Sequence, residues 1–478
     1  MITAERMAAV DENAAELGVS QRQLMESSGR AVADSVRSIA DPGARVAIVA
    51  GRGNNGGDGF VVPRFLEDYN VSVHLVGRAD TITTDISRKN WEVLENAEYD
   101  RSEWRDAREI DLPSADVLVD AILGTGVSGE IREPAASAIE AVNESGAYVV
   151  SVDVPSGLDA DTGELASHAV EPDHVVTFHD RKPGLNALEV PITVADIGIP
   201  SAAELFVGPG DLGWMGREAA SHKGDAGHVL VIGGGPYTGA PALSGLAALR
   251  TGGDLATVAC PSSIASTVQS YAPDIIVHEF SGGRLETDHT QELLEVADEL
   301  DCVLIGPGLG DARESLRAVR EFLRAYEGRC VVDADALQVV PDVQTSASVI
   351  CTPHQGELEA MGGPRNADWR DRMEAVEAYA DNLGHTILVK GAYDIVSNGS
   401  HTRVARTGNP GMTVGGTGDV LAGIVATIFA QRDDPLVAGS VGAYLNGYAG
   451  DLAAEKYGDS LIASDVVELI PPAILEAK

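Results

Sequence analysis

Asp419 directly follows Gly415-Gly416-Thr417-Gly418 and opens an apolar run within "GNPGMTVGGTGDVLAGIVATIF" (408–429). Glycines ahead of a helix leave backbone N–H groups free to hold a phosphate, aided by the helix dipole. A carboxylate in the first turn can take a proton from a hydroxyl attacking phosphorus. Capping also explains an aspartate there, and the two roles are compatible. The first half carries a formal G-x-G-x-x-G, Gly51-Arg52-Gly53-Asn54-Asn55-Gly56, after an apolar run. Alone it reads as a dinucleotide turn, yet Asp58 sets a carboxylate where a pyrophosphate would lie. Gly57-Asp58 stands where a Walker A loop requires Lys-Ser/Thr, which excludes that motif. Two more apolar runs end in polar residues: Asp120 before "GTGVSGE" (124–130), and Asp153-Val154-Pro155-Ser156-Gly157. Asn, Asp and Ser oxygens suit a hard cation, whereas any one loop could simply close a tight turn.

Short aliphatic runs alternating with helical patterns must position these residues. "RVAIVAG", "VSVHLVG", "DVLVDAIL", "YVVSVDV", "HVVTFHD" and "PITVADIGI" read as strands of a largely parallel α/β sheet, with a helix starting at "GFVVPRFLEDY". In such a sheet the carboxyl ends share one edge, so the polar loops can meet in one crevice. A Gly/Pro-marked stretch at 198–227 reads as a linker. A second α/β series follows, from "HVLVIGG" to "HTILVKG" and the helix after "GGTGD".

At 478 residues two or three domains are expected, and the two α/β series with differing glycine motifs read as two. The net charge of −39 argues against nucleic acid and anionic membrane as partners. Lysine occurs only at 89, 182, 223, 390, 456 and 478. An acidic, lysine-poor surface points to a protein kept soluble in high salt, as in a halophile. The four cysteines sit far apart in apolar runs, which predicts buried thiols rather than disulfides or a zinc site. No targeting segment or long apolar span is evident, so a cytoplasmic protein is expected.

"GRGNNGGDG", "DAILGTG", "SVDVPSGLD" and "HDRKPGL" resemble the NAD(P)H-hydrate epimerase family over nearly all of 1–203. The resemblance implies a Rossmann-like three-layer α/β/α domain. It also implies epimerisation of hydrated NADH or NADPH (NADHX, NADPHX) at the hydroxylated nicotinamide carbon. Carried over by position, Asn54, Asn55, Gly56, Gly57, Asp58, Gly124, Thr125, Gly126, Val127, Ser128, Gly129, Glu130 and Asp153 would bind substrate. Asn55, Asp120 and Ser156 would hold potassium. Asp153 is the candidate proton-transfer residue. Lys182 is either its cationic partner or a surface lysine near a turn. Ser27-Ser28 stands where the family usually has Asn-Ala, on a helix that lines the pocket or an oligomer contact.

"GPGLG" (306–310), "DADAL" (333–337), "TPHQGE" (352–357) and "VKGAYD" (389–394) join the Asp419 stretch in resembling the ADP-dependent NAD(P)H-hydrate dehydratase family, of ribokinase-like fold. "HKGDAG" (222–227) and "GGGPYTGAP" (233–241) extend the likeness to the domain start. The implied reaction phosphorylates the hydrate's hydroxyl with ADP and Mg2+, then expels phosphate to restore the double bond. Asp419 would be the base and a substrate contact. Lys390, Gly391, Ala392, Tyr393, Asp394 and Gly418 would hold ADP, and Ala240, Gly308 and His354 the hydrate. His354 reads equally well as a helix cap, and Lys390 as a brace for its loop. Gly416 replaces a frequent Ala, and Gly235 a frequent Ser. The expectation is a bifunctional repair enzyme and homo-oligomer, epimerase in 1–203 and dehydratase in 204–478. The alternatives are a ribokinase-like small-molecule kinase and a non-catalytic N-terminal module.

Overall fold

The computed structural model describes residues 1–126, 129–216, 222 and 224–477. The chain divides into two compact units, Met1–Ala203 and Glu204–Lys478. In the first, strands β1 (Arg45–Ala50), β2 (Asn70–Val76), β3 (Arg101–Trp104), β4 (Val117–Ala121), β5 (Tyr148–Val152), β6 (His174–Phe178) and β7 (Ile192–Ala195) form one parallel sheet. Its order is β3-β2-β1-β4-β5-β6-β7. The chain direction reverses across the sheet between β1 and β4, and ligands of such folds bind at that switch. β1 and β4 are buried on both faces, which is why they read as unbroken aliphatic runs. Val46, Ile48 and Ala50 pack with helices α1 (Ala4–Glu16), α2 (Gln21–Ile39), α3 (Asn54–Val61) and α4 (Asp85–Asn96). Val49 faces the other way, onto α5 (Ala135–Glu144), completing three layers.

Two details differ from the expectation. The helix after β1 starts at Asn54 rather than near Gly59 and ends at Val61, where Pro63 leads into a tighter 3₁₀ turn. Of the stretch at 198–227, residues 201–205 form a short helix, α6 (Ser201–Leu205), and 206–212 belong to the second unit. There Phe206 bridges to Val404, and Arg403 Nη2 pairs with Asp211 Oδ2 at 2.9 Å.

The second unit has a nine-stranded sheet of order β10-β9-β8-β11-β12-β13-β14-β15-β16. β8 (His228–Ile232), β9 (Leu255–Pro261), β10 (Ile276–Phe280), β11 (Cys302–Ile305), β12 (Arg329–Val332), β13 (Ser348–Cys351) and β14 (Thr386–Val389) run parallel; β15 (Asp394–Ser397) and β16 (Thr402–Ala405) add an antiparallel edge. One face packs on α7 (Gly239–Arg250), α8 (Ser262–Tyr271), α13 (Thr417–Gln431), α14 (Pro435–Tyr457) and α15 (Ala463–Glu476). The other packs on α9 (Thr290–Ala297), α10 (Arg313–Ala325), α11 (Gln355–Ala360) and α12 (Trp369–Leu383). Cys260, Cys302, Cys330 and Cys351 are buried, unpaired thiols on four of these strands. Among the described residues no helix is long and apolar enough to cross a membrane.

Candidate active sites

In the first unit the loops after β1, β4, β5 and β6 converge on a cavity of about 700 Å³, within the size range of small-molecule sites. Asn54, Asn55, Asp58, Gly124, Thr125, Gly126, Asp153 and Lys182 line it, as does Gly53, where an added Cβ would meet nothing. Gly56 and Gly57 lie beneath the loop instead. A Cβ on Gly56 would strike the Gly51 carbonyl, and one on Gly57 would strike Ser87 Oγ. These glycines let the turn pack on itself. Gly129 and Glu130 are exposed and absent from the cavity wall. Val127 and Ser128 lie outside the described residues.

Asp153 directly follows β5 with φ +61°, a left-handed conformation that aspartate tolerates better than most side chains. Its Oδ1 accepts from Thr177 Oγ1 at 3.0 Å, from Phe178 N at 3.3 Å and from Lys182 Nζ at 2.5 Å. Lys182 is fully buried and also donates to Phe178 O at 2.9 Å. It is therefore the ionic partner of Asp153 and not a surface lysine. Asp58 is driven well above the usual carboxylate range by burial, reinforced by Asp153 and Asp11 and opposed by Lys182.

Behind Asn55, Asp120 is fully buried at the end of β4 and accepts from Ser151 Oγ (2.7 Å), Ser156 N (2.9 Å) and Ser156 Oγ (2.5 Å). Burial raises its pKa while these donors oppose the rise. Asn55 Nδ2 and Ser156 Oγ both reach Leu123 O, at 2.9 and 3.2 Å. Asn55 and Ser156 thus meet at one carbonyl, and Ser156 joins Asp120 to them in a cluster of oxygens and one amide. That donor set is hard enough for a potassium ion.

In the second unit α13 begins at Thr417, capped by Gly416 with φ +101°, so glycine is favoured at that turn. Asp419 sits in the first turn. Burial, then the Asp333 charge, pushes it up to about 7, against the pull of Lys390. Lys390 Nζ lies 3.0 Å from Asp333 Oδ1 and 3.7 Å from Glu357 Oε2. Burial disfavours its charge, but those carboxylates outweigh burial and raise its pKa. A Cβ on Gly418 would stand 3.3 Å from that ammonium, so the lysine lies at the helix N-terminus where an anion would be held. Ser244 Oγ donates to Asp419 O at 2.9 Å and to Ala240 O at 3.3 Å, while Gly308 packs against Tyr237 O and Ala240. The structure thereby ties Ala240 and Gly308 to Asp419.

Gly391 N donates to Asp394 Oδ1 at 2.7 Å. Burial lifts Asp394 to about 7, opposed by that hydrogen bond and then by Lys390 and Arg372. Gly391 and Ala392 are exposed, and Tyr393 stacks on Trp369 at 4.8 Å. His354 caps α11: its Nδ1 accepts from Gly356 N (2.9 Å) and Glu357 N (3.2 Å), and its own N–H donates to Glu357 Oε2 (2.7 Å). The capping expectation holds, and Nε2 of the exposed ring lies 3.6 Å from Glu357 Oε1.

Four side chains at these sites had not been singled out as site residues from the sequence. Asp333 and Glu357 lay inside quoted motifs. Arg372 on α12, with a buried Nε that lacks a partner, and Asp11 on α1 carry no motif at all. Among the described residues no group of three or more His, Cys, Asp or Glu is placed to hold a metal.

These features define a two-unit α/β protein whose first unit has a cavity lined by carboxylates and a buried lysine and whose second is ribokinase-like. The NAD(P)H-hydrate dehydratase family profile matches residues 229–472, and that of the YjeF-related protein N-terminus matches 21–184. The bifunctional NAD(P)H-hydrate repair enzyme of Methanothermobacter thermautotrophicus is 44% identical, the alignment covering 97% of this chain and 93% of that one. Its counterpart from Pyrobaculum aerophilum is 42% identical over 99% and 98%. A solved ribokinase-like superfamily protein from Enterococcus faecalis is 25% identical with a TM-score of 0.50, covering 57% of this chain and 96% of that chain. The chain belongs to the bifunctional NAD(P)H-hydrate repair enzymes, with an epimerase unit followed by a dehydratase unit. This sets aside the small-molecule kinase with a non-catalytic N-terminal module.

Proposed function

We propose that the first unit interconverts the R and S hydrates of NADH and NADPH, and that the second consumes the S hydrate with ADP, releasing AMP and phosphate. The observation that carries the second half is Asp419, lifted to about 7 at a glycine-capped helix start beside Lys390. A base so poised takes the proton of the hydrate's hydroxyl as its oxygen attacks the β-phosphorus of ADP, with AMP leaving. The N–H groups at the start of α13 and the Lys390 ammonium receive the charge that develops. The phosphorylated oxygen then departs as phosphate while the adjacent carbon loses a proton, which restores the ring double bond. Magnesium on the diphosphate would neutralise charge, and Asp333 and Glu357 beside Lys390 are the hard oxygen donors that suit it.

In the first unit Asp153, held by Lys182, exchanges a proton with the hydroxylated carbon's substituents, while Asn55, Asp58 and Thr125 contact the nucleotide. Potassium at Asn55, Asp120 and Ser156 would neutralise the buried Asp120 carboxylate. Gly391 to Tyr393 and Arg372 hold the ADP side.

The test is a mixture of R and S hydrates with ADP, Mg2+ and either KCl or NaCl at equal ionic strength. Complete recovery of reduced nucleotide, faster in KCl, is expected. Recovery that stops at the S fraction rejects the epimerase assignment. A stable phosphorylated product without recovered nucleotide rejects the dehydratase assignment. The −39 charge also suits the chain to high salt, and full activity in dilute buffer would count against that.

A further inference from the structure

We propose that Asp11, on the first helix, is the proton donor that works opposite Asp153 in epimerisation. The inference rests on the reading of the first unit's cavity as the epimerase site. Ala4, Met7, Ala8 and Asp11 all line that cavity, and their spacing makes them one face of α1. Asp11 is thus the single ionisable group on an otherwise apolar helical wall. Its Oδ1 is buried with no hydrogen-bond partner. A carboxyl kept for structure would be given a donor, because an unsatisfied buried oxygen costs free energy.

Asp153, on the same cavity, is set up in the opposite way. Its Oδ1 collects three donors, from Thr177, Phe178 and Lys182, which fix it in place as an acceptor. Asp11 receives none and is pushed up to about 6, first by burial. The charges facing it come from Asp153 and Asp58, which favour its protonated form, and from Lys182 and His179, which oppose it. One carboxyl held by three donors and one left with none, on the same cavity, are placed to divide the work of base and acid.

The hydrated carbon carries both a hydroxyl and the ring nitrogen. Asp153 takes the hydroxyl proton, the C–N bond breaks as C=O forms, and the electron pair passes to nitrogen. Nitrogen takes the proton of Asp11. After rotation about the adjoining bond the nitrogen attacks the other face of the aldehyde and returns its proton to Asp11. The oxygen then recovers the one held by Asp153. No oxidant, reductant or further reactant enters. Cleavage of C–O instead would give an iminium one proton away from the repaired nucleotide, which would leave the second unit without a task.

The experiment uses the full chain as wild type, Asp11→Asn, Asp11→Glu and Asp58→Asn. Each receives a purified single epimer of NADPHX, with the spontaneous rate subtracted and the pH varied across 6. Dissociation of NADPHX is measured separately by equilibrium dialysis. Expected is a loss in kcat of about 10²- to 10³-fold for Asp11→Asn at nearly unchanged hydrate affinity. The wild-type decline as pH rises past about 6 should vanish in that variant. Asp11→Glu should restore part of the rate. A wild-type rate and pH profile in Asp11→Asn overturns the proposal and leaves the epimerase reading intact. So does loss of affinity in step with rate, or disappearance of the pH limb only in Asp58→Asn. Failure of the wild type to exceed the spontaneous rate would reject the epimerase reading itself.

Discussion

Both units place a buried lysine against an aspartate at the carboxyl edge of a parallel sheet, yet the two pairs do different work. Lys182 is fully buried and donates to Asp153 and to a backbone carbonyl, so two of its three N–H groups are committed to holding that carboxylate and its loop. Lys390 stands between Asp333 and Glu357 with part of its surface open and with the α13 N-terminus beside it. The first lysine fixes a proton acceptor, whereas the second presents positive charge to an anion. In a chain with six lysines, whose surface cations are mostly arginine, finding one in each site ties both to chemistry rather than solubility.

The sharpest way to break this comparison is to remove the carboxylate from each site in turn. Asp153→Asn should bring epimerisation down to the spontaneous rate, and Asp419→Asn should lower ADP-dependent recovery of reduced nucleotide by about 10³-fold. Each loss should be confined to its own unit's reaction, read by separating the epimers and by following reduced nucleotide. If one substitution silenced both reactions, the two sites would not be independent.

Removing the lysines should separate structure from charge. Lys182→Met leaves Asp153 among Asp11 and Asp58 without a counter-ion and should cost about 3 kcal/mol of stability, seen in denaturant unfolding. Lys390→Met should cost less, because Lys390 is partly open to solvent whereas Lys182 is fully buried. It should instead raise the KM for ADP, since the ammonium beside Gly418 is gone. A larger stability loss at Lys390 than at Lys182 would reverse the assignment of the two roles.

The pH dependence should also run in opposite directions. Asp419 must be ionised to act as base, and it is lifted to about 7, so dehydration should fall as pH drops through 7. Between one unit below and one unit above that value the ionised fraction changes roughly tenfold, and kcat/KM measured at saturating Mg2+ should follow. Epimerisation should show no such loss on the acid side near 7. A flat dehydratase profile would show that another group takes the proton.

How much of this was legible in the sequence depended on whether a residue's role is local. β1 and β4 at the first unit's switch point were visible because burial on two faces demands unbroken aliphatic runs. β3, with its half-exposed Arg101, Ser102 and Glu103 at the sheet edge, carried no such run and was missed. The β15–β16 hairpin was also missed, although Asn398-Gly399 at its turn is a hairpin signal and Gly399 has φ +88°. Asp120, Asp153 and Ser156 were found because each lies at the end of a strand or in the turn just after it. Asp11 was not, because only tertiary packing brings α1 over those strand ends, and one acidic residue on an amphipathic helix looks like solvated surface. The difference between Lys182 as partner and as surface lysine was likewise a matter of burial, which its Pro-Gly surroundings did not disclose.

The smallest expected effect concerns His354, where cap and contact overlap in one ring. Its Nδ1 accepts the Gly356 and Glu357 N–H groups, so His354→Ala removes the α11 cap and should cost about 1 kcal/mol. His354→Asn supplies a side-chain oxygen able to accept those same N–H groups and should return most of that stability. What asparagine does not supply is Nε2, which the histidine leaves exposed beside Glu357. If the ring contacts the hydrate, both variants should raise the hydrate KM by a similar few-fold factor while differing in stability. If KM instead recovers together with stability in His354→Asn, the histidine serves the second site only by holding Glu357 and its helix in place.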